Sequence, residues 1–184
     1  MNTLQLRIAT RCLQQGGVIA YPTEAVWGLG CDPWNQTAVL RLLSIKKRPV
    51  EKGLILVAAS LDQIAPIYKN LTRQQQEQLD FTWPGPRTWL IPDPDSWIPM
   101  WIKGSHTSVA VRVSDHPLVV QLCRHFGGPI VSTSANTTGK LEIRSRLRLM
   151  IALGAKLDYV LPGDLGNADR TTTITDLISG KTVR

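Results

Sequence analysis

Cysteine is scarce in this chain: among 184 residues there are three, Cys12, Cys31 and Cys123. They are scattered and form no CxxC, which excludes a disulfide framework. The three histidines, His106, His116 and His125, lack metal-ligand spacing, so structural zinc is not expected. No apolar run approaches the roughly 20 residues that a bilayer-spanning helix needs. The opening residues, MNTLQLRIATRCLQQGG, show amphipathic periodicity but no apolar core or cleavage site of a secretory signal. We therefore expect a cytoplasmic chain with no membrane partner. Internal repeats and low-complexity tracts are also missing, and residues 1–184 read as one unit.

What is present fits a folded domain. Apolar residues make up 43% of the chain, close to the globular norm. A chain of this length suits one domain and buries roughly 70% of its unfolded surface. Lysine and arginine exceed aspartate and glutamate by 21 to 14, a net charge of +7. Such an excess suits polyanionic company, either nucleotide phosphates or RNA. A solvated basic surface that aids solubility has the same composition, so charge alone leaves both readings open.

Apolar periodicity predicts the elements. Leu4, Ile8 and Cys12 recur at helical spacing, and a helix is expected over 3–15, ended by Gly16-Gly17. A buried strand follows over 18–21, closed by Pro22. A helix is predicted over 36–46 and a buried strand over 54–58. The polar run 72–81 reads as a surface helix, broken by Trp83-Pro84-Gly85-Pro86. Strands are expected over 88–91, 109–113, 130–133, 158–161 and 171–177, with helices over 117–126 and 145–153. Ser179-Gly180 is expected to turn a final hairpin. Residues 92–106, PDPDSWIPMWIKGSH, carry turn signals and are expected to form a long loop. Strands alternating with helices predict an α/β domain, a mixed sheet with helices on both faces. Ligands in such sheets bind where loops leave the strand ends.

Four segments carry chemistry. In Tyr21–Gly30, a strand runs into a turn with a hydroxyl and a carboxylate, then a glycine-punctuated stretch. Glycine admits close approach of a ligand, but taken alone the stretch reads rather as a strand–turn–strand with glycines chosen for sterics. Lys46, Lys47 and Arg48 end a helix, with Lys52 close behind. They suit either the helix dipole or a phosphate clamp. Ser132–Asn136 sets three hydroxyls and an amide after a buried strand, as a ligand cradle or an ordinary Asx turn. Strand alternation puts Ser108, Ala110 and Arg112 on one face. A buried arginine needs a partner, either a ligand carboxylate or an acidic residue of the fold. Together the four segments suggest a nucleotide or anion site beside a carboxylate-bearing ligand.

In this order and spacing, YPTEAVWGLG, KKRPVEKGLI, WPGPRTW, SVAVRVSDHP and STSAN resemble the YrdC-like family in its short form. The likeness runs from Val18 to Asn136, and TTTITDL fits more loosely. It implies a single α/β domain with a twisted mixed sheet and a deep, basic, concave cavity. The implied activity joins L-threonine, bicarbonate and ATP into L-threonylcarbamoyl-adenylate and pyrophosphate. That adenylate serves N6-threonylcarbamoyladenosine formation in tRNAs reading ANN codons. The resemblance puts Thr23, Arg112 and Ser132 at the threonine, with Arg112 on its carboxylate. Lys46 and Arg48 match the family's KxR pair and are its implied catalytic cations. Ser134 and Asn136 match its SxN pair, and both pairs are implied nucleotide contacts. Lys52, Ser108, Thr172 and Arg184 complete the implied nucleotide set. Mg2+ is implied as the companion of ATP, held largely by phosphate and water, with no protein metal ligand. Implied partners are tRNA threonylcarbamoyl-transfer proteins of the TsaB, TsaD and TsaE type, and the basic charge leaves direct contact to tRNA open.

The chain departs from longer members at Gly53, where proline is common, at Val57, where some carry a threonine-contacting histidine, and at Glu142, where they carry serine. The rival reading is an RNA-binding or ribosome-assembly factor, supported by the net charge of +7 and by Arg144, Arg146 and Arg148. Spacing of two on a helix spreads those arginines around it, against a single basic stripe.

Overall fold

Short apolar runs bounded by glycine, proline and polar turns become the strands of one sheet. They are β1 (Ile19–Pro22), β2 (Trp27–Gly30), β3 (Ile55–Ala58), β4 (Arg87–Pro92), β5 (Ser108–Val113), β6 (Ile130–Ser134), β7 (Tyr159–Val160) and β8 (Thr173–Asp176). The computed structural model describes residues 3–169 and 171–183. The strand order is β7-β1-β2-β6-β3-β5-β4-β8. The pairs β1/β7, β3/β5 and β4/β8 are parallel and the other four antiparallel, so the sheet is mixed. The helices are α1 (Thr3–Gln14), α2 (Gln36–Lys46), α3 (Ala65–Tyr68), α4 (Arg73–Thr82), α5 (Met100–Lys103), α6 (Pro117–Phe126) and α7 (Arg146–Leu153). This is the single-domain α/β architecture expected from the alternation of elements.

Local chemistry fixes the helix ends. The Asn35 side chain accepts the Ala38 N–H at the start of α2, and Lys47 in the left-handed region closes it. Thr72 and Gln75 form a reciprocal capping box on α4. Pro117 opens α6 where its missing N–H costs nothing, and Gly127 closes it at φ +87°.

The pleat sends alternate residues to opposite faces of the sheet. On one face Trp27, Leu29, Leu56, Ala58, Trp89, Ile91, Val109 and Val111 form a continuous core with Val39, Leu42, Leu79, Ile102 and Leu149 from the helices. On the other face Ile19, Tyr21, Val57 and Ile130 meet Leu6, Ala9 and Leu13 of α1 and Leu118, Val119 and Leu122 of α6. Each such large side chain contributes about 1.5–3 kcal/mol when fully buried. However, α1 and α6 cover only part of that second face. Ile55, Leu90, Ser108, Ala110, Ser132, Ser134 and Ile174 lie on the same side beyond them and floor an open depression.

One segment takes a reading that the sequence leaves open, and another departs from its expectation. Tyr21–Gly30 folds as strand–turn–strand, β1 into β2, and its glycines answer to sterics. A Cβ on Gly28 meets Thr23 Cγ2 at 2.9 Å, and one on Gly30 meets Tyr21 Cε1 at 2.8 Å. The stretch 92–106, expected as a plain loop, contains α5. Its organiser is the buried Asp93, whose carboxylate accepts the backbone N–H groups of Trp97 (2.9 Å) and Ile98 (3.0 Å) and the ammonium of Lys103 (2.8 Å). At the C-terminal end, a turn over Leu177–Ser179 brings Thr182 antiparallel to Thr175, as the Ser179-Gly180 turn signal implied.

Candidate functional site

The depression is a cavity of about 760 Å3 with four cations on its wall, Lys46, Arg48, Lys52 and Lys103, against the carboxylates Glu142 and Asp176. Lys46 is the last residue of α2 and is buried. Its Nζ reaches across to the end of β6, donating to the carbonyls of Ser134 and Asn136, the latter at 2.8 Å. The left-handed turn at Lys47 then carries the chain to Arg48. Arg48 Nε donates to the Gly53 carbonyl at 3.1 Å, and Nη2 donates to the carbonyls of Lys52 and Gly53 at 3.1 and 2.9 Å. Gly53 sits at φ +61°, and a Cβ there would meet the Lys103 carbonyl at 2.8 Å. That close approach, with the Leu54 N–H donating to the Ile102 carbonyl at 2.8 Å, joins the Arg48 turn to α5 in one wall.

Opposite, Ser134 Oγ donates to Asn136 Oδ1 at 2.6 Å and Asn136 Nδ2 donates to the Lys140 carbonyl at 2.6 Å. Ser108 stands half-buried on the floor. The backbone N–H and hydroxyl of Ser179 hold the Asp176 carboxyl below its usual range. Asp176 is thus a charged acceptor already engaged by its own turn.

A smaller recess adjoins the cavity, and Ile55, Thr133 and Ser134 line both. Thr23, Glu24, Arg112, Ser132 and Thr172 line the recess. Thr23 Oγ1 donates to the Val26 carbonyl at 2.7 Å, and Thr172 shares a 2.9 Å hydrogen bond with Thr88. Arg112 lies on β5 opposite Val57 of β3, at the boundary between the covered and open parts of the face. Its partner within the fold is Glu24, with Nη1 to Oε2 at 3.2 Å. Glu24 Oε1 accepts the Ser114 hydroxyl at 2.5 Å. Among the described residues, Glu24 Oε2 and Arg112 Nε have no hydrogen-bond partner although both are buried. Nearby, burial pulls the His116 imidazole below its usual pKa despite the Glu24 charge.

The structure therefore gathers Lys46, Arg48, Lys52, Ser108, Ser134 and Asn136 around the cavity, and Thr23, Arg112 and Ser132 around the recess. Thr172, implied on the nucleotide side, lines the recess instead. Arg184 lies outside the described residues. Sequence reasoning did not single out Lys103, a cation inside a stretch that reads as loop. Nor did it single out Glu24, whose only signal was a carboxylate in the turn after Pro22. Among the described residues, no group of three or more His, Cys, Asp and Glu side chains is placed to hold a metal ion. No described helix is long and apolar enough to cross a membrane.

Fold and site together define an α/β protein with a cavity lined by Lys46, Arg48 and Lys52 that opens beside an arginine–glutamate recess. The chain belongs to the Sua5/YciO/YrdC family, whose model, described as telomere recombination, matches residues 11–184. It is 50% identical over 184 residues to a threonylcarbamoyl-AMP synthase of Pseudomonas aeruginosa PAO1, covering 100% of this chain and 98% of that one. A threonylcarbamoyl-AMP synthase of Cellvibrio japonicus is 49% identical over 180 residues, covering 98% and 95%. The crystal structure of P. abyssi Sua5 complexed with L-threonine superposes with a TM-score of 0.90 at 28% identity. That match covers 99% of this chain and 53% of Sua5, so this chain spans about half the Sua5 length. E. coli YciO shares the fold, with a TM-score of 0.85 at 22% identity over 99% of this chain and 88% of its own.

Proposed function

We propose that this chain is a cytoplasmic nucleotidyltransferase, a threonylcarbamoyl-AMP synthase acting on L-threonine, bicarbonate and ATP. The observation that carries the reading is the junction of the two hollows: a cationic cavity of about 760 Å3 shares Ile55, Thr133 and Ser134 with a recess containing Arg112. A nucleotide in the cavity presents its phosphates to an amino acid in the recess. The names of relatives at half identity over the full chain support the same chemistry.

In the reaction the threonine nitrogen takes up the bicarbonate carbon, with loss of water and a proton. A carbamate oxygen then attacks the α-phosphorus of ATP, and the bond to the leaving pyrophosphate breaks. Lys46 and Arg48 supply fixed positive charge to the α-phosphate and the leaving group, where charge develops in the transition state. Lys46, Arg48, Lys52, Ser108, Ser134 and Asn136 position the nucleotide, and Thr172, which lines the recess, and Arg184 belong to the same implied set. Thr23, Arg112 and Ser132 hold the threonine, Arg112 by its carboxylate. Mg2+ enters with ATP as part of the substrate. Glu142 and Asp176 are the carboxylates on the cavity wall, and Asp176 is already engaged by Ser179, so the cation's ligands are largely phosphate and water. Proteins of the TsaB, TsaD and TsaE type take the adenylate onward to tRNA.

The rival RNA-binding reading calls for a continuous basic stripe. Arg146 and Arg148 stand two apart on α7, with exposed Leu147 and Ile151 on the same helix. The deciding experiment is pyrophosphate release from Mg-ATP with threonine and bicarbonate omitted in turn. Release that needs both establishes the synthase. Release with neither makes the chain a generic ATPase, and salt-sensitive tRNA binding without release favours the rival.

A further inference from the structure

The recess contains more charge than a carboxylate clamp needs. Arg112 alone would offer a net positive charge to a ligand carboxylate. Glu24, 8% exposed and 3.2 Å away, neutralises it. A ligand carrying only a carboxylate is attracted by Arg112 and repelled by Glu24 at nearly the same range, so its net gain is small. A ligand that adds a cation one carbon from its carboxylate satisfies both residues.

The placement of Glu24 is also fixed. Its carbonyl accepts the Ala168 N–H at 3.0 Å. A Cβ on Gly166 would meet that carbonyl at 2.7 Å, so the turn is clamped beneath residues 166–168. Ser114 holds Oε1, and Oε2, which faces Arg112 Nη1 at 3.2 Å, is the oxygen that carries no hydrogen bond. Glu24 is the one carboxylate among the described residues that line the recess.

We propose that Glu24 receives the α-ammonium of the amino-acid substrate while Arg112 takes its carboxylate, so that the recess selects a zwitterion over a plain hydroxy acid. This assignment rests on the synthase reading and deepens it. It also gives the first step a direction. Carboxylation removes the nitrogen's positive charge, and the new carbamate is repelled by Glu24 and attracted by Lys46 and Arg48.

The test is calorimetric titration of L-threonine and its deamino analogue, (R)-3-hydroxybutanoate, into wild type and Glu24→Gln with a non-hydrolysable Mg-ATP analogue present. One charge-assisted hydrogen bond accounts for about 10- to 100-fold in affinity. Wild type is expected to prefer threonine by about that factor, and Glu24→Gln to lose the preference while binding the analogue at least as well as wild type. Glu24→Asp, which keeps the charge, is expected to restore part of it. Equal weakening of both ligands in Glu24→Gln overturns the proposal, because Glu24 then acts only by positioning Arg112. Equal affinity of wild type for the two ligands overturns it whether or not the variant folds. Wild type that binds neither ligand overturns the synthase reading itself.

Discussion

Replacing Asp93 by asparagine tests how the cavity wall is held. The Asp93 side chain is 1% exposed and that of Lys103 is 7% exposed, so the pair is shielded from solvent. The carboxylate accepts from Trp97, Ile98 and Lys103 together. Asparagine keeps one acceptor oxygen but turns an amide donor toward other donors, and it leaves the Lys103 ammonium buried without its counter-charge. Breaking one side of a buried pair costs about 3–5 kcal/mol. With part of the acceptor function retained, the low end applies, about 3 kcal/mol. For a chain of this size that lowers the Tm by about 6–12 °C. Urea unfolding should show a lower midpoint at unchanged slope. Because the Leu54 N–H donates to Ile102 and Gly53 packs on the Lys103 carbonyl, ATP affinity should fall along with stability. The double replacement Asp93→Leu with Lys103→Met removes both charges and should recover much of the stability lost in Asp93→Asn. Asp93→Asn within about 0.5 kcal/mol of wild type, or a double variant no better than the sum of its parts, would refute this account of the wall.

Arg48→Ala should raise the KM for ATP by about 10- to 100-fold, the loss of one charge-assisted contact, while threonine affinity measured by titration stays close to wild type. The opposite pattern is expected of Arg112→Ala, with threonine affinity lost and ATP affinity retained. Normal threonine dependence in that variant sinks the carboxylate clamp. The Asp158 carboxyl is held below its usual range chiefly by its hydrogen bond with Arg41, with the Val18 N–H adding to it at 2.7 Å. A depressed folded pKa contributes stability that is present above the unfolded value, about pH 4, and is lost as pH falls through the folded value. Wild type should therefore exceed Asp158→Asn in stability near neutrality, and the two should converge in acid. A constant difference down to the acid limit in urea melts contradicts that assignment.

Much of this fold was legible where single residues mark boundaries. Helices α2 and α6 have the bounds read from sequence, because Asn35, Pro117 and Gly127 act locally. The short helix α5 escaped, since its support is tertiary: Asp93 holds its last residue, and Ile102 packs into the main core. The KxR and SxN segments were visible as clusters of polar chemistry. That Lys46 would bridge them through the Ser134 and Asn136 carbonyls depends on β6 entering the sheet beside β2 and β3, which no local pattern encodes. The same holds for the partner of Arg112. Sequence allowed either a ligand carboxylate or an acidic residue of the fold, and the sheet brings Glu24 to it across distant segments.

In the proposed reaction bicarbonate carbon is joined to threonine and then to AMP. Incubation with 13C-bicarbonate, L-threonine and Mg-ATP, followed at once by chromatography with mass spectrometry, tests it most directly. A new adenylate whose mass includes threonine and one labelled carbon is expected, formed in step with pyrophosphate. AMP and pyrophosphate formed without threonine or bicarbonate, ADP with phosphate, or a threonyl adenylate lacking the label would contradict it.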